Sequence, residues 1–116
     1  MMVSERIIQA LEPLNIPVSA LIGDTTKPIY AVIYELSENP VQSADNGETM
    51  TAYHIQIDFI GKENLESIVR KATKLLHAAG FARRNKRSEY SASANVYRYM
   101  LRVTTATEDE WEDENE

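Results

Sequence analysis

No cysteine occurs anywhere in the chain. That excludes a disulfide framework, a thiol nucleophile and a thiolate metal site, and it suits a reducing compartment. Glycine is scarce, with four dispersed residues, so no glycine-rich loop is available to cradle a phosphate. No serine stands in a nucleophile-elbow sequence. Long apolar runs are missing as well. The longest covers residues 29–34, far short of the roughly 20 residues that cross a bilayer as a helix. The opening residues, Met1-Met2-Val3-Ser4-Glu5-Arg6, lack the basic segment and sustained apolar stretch of a signal peptide.

What remains is ordinary globular material: 116 residues, 43% hydrophobic and 26% charged. This is a single-domain length, with an expected radius of gyration of roughly 13 Å and one modest core. The net charge of −6 is unevenly placed. Residues 108–116 hold 7 of the 18 acids and none of the 12 bases. Residues 1–107 therefore carry 11 acids and 12 bases, a net +1. We read 1–107 as one near-neutral domain, without the basic excess that marks strong nucleic-acid binding. We read 108–116 as an acidic tail whose charge density keeps it disordered when free.

The patterning predicts an α+β protein with the element order α-β-β-β-α-β-β. Ser4 is placed to cap a short first helix through Ile7, Ile8 and Leu11, which Pro13 ends. Strands are expected over residues 18–22 and 29–36, the second apolar on both faces and hence central. Residues 37–48, with Pro40, Asp45, Asn46 and Gly47, suggest a long polar loop. Residues 49–60 alternate cleanly: Thr51, Tyr53, Ile55, Ile57 and Phe59 on one face, Ala52, His54, Gln56 and Asp58 on the other. An amphipathic helix of roughly 27 Å is expected over residues 62–79, stopped by Gly80 in a left-handed conformation. Residues 81–91 and 96–107 complete a hairpin. A single mostly antiparallel sheet with its helices packed on one face is the simplest architecture.

Four features carry possible chemistry. The stripe His54, Gln56, Asp58 offers an acid/base pair, but residues two apart on a strand have β-carbons roughly 6–7 Å apart and need help to bond. A solvated or subunit-facing sheet surface is the stronger reading. His54 and His77 are the only histidines, one on a strand and one on a helix, with no cluster of further ligands around either. The run Arg83, Arg84, Lys86, Arg87, together with Arg98 and Arg102, forms a basic ribbon facing phosphates or an acidic partner, or a solvated hairpin balanced by Glu89, or, in a ring, a surface that a neighbour's acidic tail neutralises or screens. The loop around Asn39, Pro40, Asp45 and Asn46 is either a docking arm or a plain connector. No catalytic residue, metal ligand or cofactor is assigned.

Several stretches resemble one family. They are Leu11-Glu12-Pro13-Leu14-Asn15-Ile16-Pro17-Val18, Ile29-Tyr30-Ala31-Val32-Ile33-Tyr34, Glu38-Asn39-Pro40, Asp45-Asn46, Tyr53-His54-Ile55-Gln56-Ile57-Asp58-Phe59, Ala78-Ala79-Gly80-Phe81 and Tyr97-Arg98-Tyr99. Over residues 5–106 the chain resembles the small tail-terminator, or tail-completion, proteins of long-tailed phages and Gram-positive prophages. The resemblance implies a non-catalytic, cofactor-free protein that forms a ring, commonly a hexamer, in the virion. Such a ring caps the head-proximal end of the tail tube, stops its growth and presents a surface to the head's neck proteins, while DNA passes through its lumen. It would be assembled in the host cytoplasm. On this reading Asn39, Pro40, Asp45, Asn46, His54, Gln56 and Asp58 face a subunit or partner. Arg83, Arg84, Lys86 and Arg87 face the lumen or a neighbour. A neck adaptor of the same assembly, or a small protein- or nucleic-acid-binding module, are the competing readings. The acidic tail is not part of the family pattern.

Overall fold

Alternation along residues 49–61 organises the molecule. In the computed structural model, which describes residues 2–42 and 49–108, this segment is the central strand of a five-stranded sheet. The elements are α1 (Val3–Ala10), a 3₁₀ turn (Glu12–Leu14), β1 (Val18–Ala20), β2 (Ile29–Gln42), β3 (Thr49–Gly61), α2 (Glu66–Ala78), β4 (Ala82–Ser91) and β5 (Val96–Glu108). The strand order is β1-β2-β3-β5-β4. Only the β1–β2 pairing is parallel. The architecture is thus the expected α+β fold in the expected element order.

Both helices pack on one face of the sheet. Val3, Ile7 and Leu11 from the first segment, and Leu65 at the N-cap of α2 with Val69, Ala72 and Leu76 within it, join Ile33, Tyr53, Ile55, Ile57, Phe59, Leu101 and Val103 in one buried cluster. Each fully buried large apolar side chain contributes about 1.5–3 kcal/mol relative to exposure. The stripe read from residues 65–79 is the packed one, because 3.6-residue spacing aligns those positions against the flat apolar surface of the strands.

Several boundaries differ from the sequence expectation, each for a local reason. Ser4 does not cap α1; the helix already begins at Val3, and its N-cap residue, Met2, makes no side-chain cap. β1 ends at Ala20 because Leu21 turns into a left-handed conformation, φ 70°. Helix α2 starts at Glu66, where the Asn64 side chain accepts a hydrogen bond from the Glu66 amide at 2.8 Å. Its 13 residues span about 20 Å rather than 27 Å. Its end follows expectation: Gly80 has φ +96°, the Gly80 amide donates to the His77 carbonyl at 3.1 Å, and the Phe81 amide donates to the Leu76 carbonyl at 2.9 Å. That is the double closure of a Schellman motif.

The largest departure is β2. Residues 37–42, read as loop, continue the strand and pair with residues 49–54. A bulge at Leu36 lets Glu35 and Ser37 oppose Ile55 and His54, so the chain shifts its alternation without leaving the sheet. Pro40 is tolerated because β1 pairs only with residues 31–33. The ladder parity turns the Pro40 nitrogen to the outer, unpaired edge, where proline costs no hydrogen bond. Asp45 and Asn46 lie outside the described residues. The principal extents are 52 × 27 × 23 Å and the radius of gyration is 15.3 Å, longer than the roughly 13 Å of a rounded domain. The long β2–β3–β5 ladder accounts for the difference.

Candidate assembly face

The second face of the sheet carries no helix among the described residues. Alternation on β3 turns His54, Gln56 and Asp58 onto it, and the register with β5 adds Arg98, Met100 and Arg102. Strand β4 contributes Asn85, Arg87 and Glu89 opposite Arg102, Met100 and Arg98. Cross-strand neighbours on one face lie close enough for long polar side chains to meet, and they do. Arg102 Nε donates to Gln56 Oε1 at 3.1 Å, and Gln56 Nε2 donates to Asp58 Oδ1 at 2.8 Å. Arg98 Nε lies 3.5 Å from Asp58 Oδ2, and its Nη1 lies 3.7 Å from Glu89 Oε1. A polar chain of five residues thus crosses three strands.

Asp58 is the centre of this chain and only 2% exposed. A buried carboxylate is costly unless paired and hydrogen-bonded, and Gln56 and Arg98 satisfy that requirement. The expectation that residues two apart on a strand do not bond directly is corrected here, because the long glutamine side chain spans the gap that two short side chains leave. His54 sits four residues from Asp58 with Gln56 between them, so the two do not form an acid/base couple. Instead His54 lines a shallow groove of about 440 Å³ with Leu36, Ser37, Arg84, Asn85 and Arg102. Asn39, opposite Ala52, shares this open face, and its side-chain nitrogen lies 3.5 Å from Ser37 Oγ. Pro40 pairs with Thr51 and belongs to the helix side.

The basic run does not form one ribbon. A bulge at Arg84, between Arg83 and Asn85, divides it. Arg84 and Arg87 join the open face beside Arg102. Arg83 and Lys86 turn to the helix side, where they meet α2 across a groove of about 620 Å³ lined also by Glu66, Arg70, Thr73, Lys74 and His77. This groove was not foreseen. Its signal lies in the 66, 70, 73, 74, 77 ridge of one helix face, which sequence reading assigns to solvent. Within it Glu66 Oε1 is 3.1 Å from Lys86 Nζ and 3.8 Å from Arg70 Nη2. The hydrogen bond and charge of Lys86, helped by Arg70, hold the Glu66 carboxyl below its ordinary value. Burial and the nearby Glu66 charge push the Tyr99 hydroxyl up.

The two histidines lie on opposite sides of the sheet, His54 on the open face and His77 in the helix-side groove. No group of three or more histidine, aspartate or glutamate side chains converges among the described residues. Among the same residues no helix is long and apolar enough to cross a membrane. The open face and the groove are both lined by charged and polar side chains.

No protein-family model matches the chain, and no curated protein matches it in sequence. Among solved structures, the fold is similar to that of a chain in the virion of a native gene transfer agent particle, with a TM-score of 0.55 and 13% identity. The match covers 91% of this chain and 94% of the other, so the likeness, at this identity, is one of whole-chain fold.

Proposed function

We propose that this protein is a structural component of a phage-type virion, and within it a tail terminator. The observation that carries the first part is the end-to-end fold likeness to a chain of a gene transfer agent virion. The sequence resemblance over residues 5–106 supports the second. On this reading the protein has no catalytic step and no cofactor. Its work is to close a ring, of six copies, on the head-proximal end of the tail tube.

The geometry suits that work. Among the described residues the sheet has two unpaired edges: β4 along its length, and β2 beyond the three residues that β1 covers. Opposite edges and faces of one subunit allow a heterologous contact, which closes into a ring when its rotation divides a full turn. The polar chain on the open face, centred on Asp58, presents fixed donors and charges rather than a greasy patch, as suits a surface that is wet before assembly. Tail tube protein would meet one side of the ring and head-completion or neck protein the other, with DNA passing through the lumen without sequence-specific contacts.

Electron microscopy of lysates from the phage or prophage lacking this gene tests the reading. Overlong or variable tubes separate from filled heads are expected. Tubes of normal length with heads that fail to join would move the protein to the neck, and normal infectious particles would end the virion reading. Charge reversal refines the surface. Because Arg83 and Arg84 face opposite sides, Arg84→Glu is expected to weaken ring formation and tail attachment more than Arg83→Glu. Equal, undiminished assembly in both variants would remove the hairpin from the interface.

A further inference from the structure

We propose that the free edge of β2 in one copy pairs with the edge of β4 in a second copy, antiparallel, with Glu38 opposite Lys86. This names the subunit contact of the ring, and it rests on the ring reading in taking a second copy as the partner. Among the described residues no strand lies beyond β4, and none lies beyond β2 except where β1 covers residues 31–33. The unpaired amides and carbonyls of such edges are templates for another strand.

Charge selects which edges meet. β4 carries Arg83, Arg84, Lys86 and Arg87 against a single acid, Glu89. Residues 34–42 of β2 carry Glu35 and Glu38 and no base. Each edge therefore repels its own counterpart, since like charges opposite one another on paired strands are destabilising. The unlike edges complement each other. Direction agrees with charge. Three antiparallel pairings separate β2 from β4, so the two run oppositely within one copy. A second copy that continues the sheet, with its helices on the same side, meets the first in antiparallel order.

The backbone sets the parity of the register. The Ala31 amide donates to the Pro17 carbonyl at 2.8 Å, and the Leu21 amide donates to the Ile33 carbonyl at 3.0 Å. Residues 31 and 33 thus turn their backbone groups away from β3. Alternation carried through the ladders then turns Lys86, Ser88 and Tyr90 outward on β4 and, past the bulge, Glu38 outward on β2. Pairing Glu38 with Lys86 joins two outward residues. Their side chains share the helix side, since Glu38 stands opposite Tyr53 and Lys86 opposite Leu101. Lys86 Nζ lies 3.1 Å from Glu66 Oε1, and an ammonium has three donors, so Glu38 joins an existing pair. On the open face the same register sets Asn39 opposite Asn85 and Ser37 opposite Arg87. It also brings Tyr90 to the end of β1, at Leu21 and Ile22. Leu21, Ile22, Leu36, Val41 and Tyr90 are the exposed large hydrophobics of the described residues, and all five lie along these two edges.

The absence of cysteine gives a clean cross-linking test. Across the proposed contact, Asn39 and Asn85 form a non-hydrogen-bonded pair with α-carbons about 4.5 Å apart, within disulfide range. Within one copy two strands separate them, a distance of at least about 14 Å. Mild oxidation of the Asn39→Cys/Asn85→Cys protein at about 1 mM, where a contact of millimolar affinity is half formed, is expected to yield a ladder of covalent multimers. Each single variant should yield dimers at most. Sedimentation tests the charges. Glu38→Lys and Lys86→Glu are each expected to move the association midpoint to about tenfold higher concentration. Their equimolar mixture should restore the parent midpoint, because alternating copies join altered edge to altered edge and native edge to native edge. Unchanged circular dichroism would show that the variants fold. Assembly without the multimer ladder, or a mixture no better than its components, overturns the edge pairing and leaves the ring reading standing. A parent that stays monomeric at about 1 mM also overturns the pairing, while the gene-deletion phenotype decides the virion reading separately.

Discussion

At the scale of single residues, two positions decide more than their size suggests. Gly80 is one. Its φ of +96° is a conformation L residues resist, yet a β-carbon built there meets nothing within 4 Å. The cost of Gly80→Ala is therefore one of backbone alone, about 1 kcal/mol. Urea denaturation should show that loss with an unchanged denaturant slope. Glu66 is the other. Its carboxyl is held below the ordinary value of 4.5, chiefly by Lys86. A depressed carboxyl contributes its stability above its unfolded value and loses it as pH falls through the folded one. Lys86→Met should raise the Glu66 titration midpoint, read by carboxyl-carbon NMR. The small stability difference between parent and variant should close as the pH drops below 4.5. Because the pair is exposed, that difference is modest at neutral pH.

At the scale of elements, α2 shows how pattern becomes packing. Leu76 is 1% exposed, while Lys71 on the far side is exposed. Leu76→Ala should cost about 2–5 kcal/mol, since the void left among strands and helix closes only in part. Lys71→Ala should stay within about 0.5 kcal/mol. Equal effects in denaturation would mean that the helix does not use the apolar stripe. β2 and β4 show where patterns mislead. Ser37, Glu38, Asn39 and Pro40 have loop-like composition, but an edge strand lacking an outer neighbour accepts polar residues and proline. On β4 a single bulge sends Arg83 and Arg84 to opposite sides, so a run contiguous in sequence becomes two half-sites in space.

At the scale of the whole molecule, charge is the organising quantity. The net −6 resides in residues 108–116, and the remainder is near neutral. Replacing the seven acids of that segment by their amides would bring the formal net charge from −6 to +1. The solubility minimum, now expected near the sequence pI of 4.9, should then move toward or above neutral pH. Solubility against pH for the two proteins checks this. An unmoved minimum would mean that net charge does not set the solubility of this protein.

Much of this protein was legible from sequence because its strongest signals are periodic. The two-residue alternation from Thr51 to Phe59, the helical stripe from Leu65 to Leu76 and the stop at Gly80 each reflect one face meeting one core. Those local rules determined the α+β class, the element order and the core. Tertiary structure alone decided the rest. It placed β5 between β3 and β4, and so joined Arg102, Gln56, Asp58, Arg98 and Glu89 into one polar chain. It also set β4 beside α2, creating a groove from Lys74 and Arg83, nine residues apart in sequence and unrelated by any period. The physical reason is common to both. Strand pairing and helix docking are long-range choices, settled by burying the apolar faces, and the polar residues on the opposite faces are brought together as a consequence.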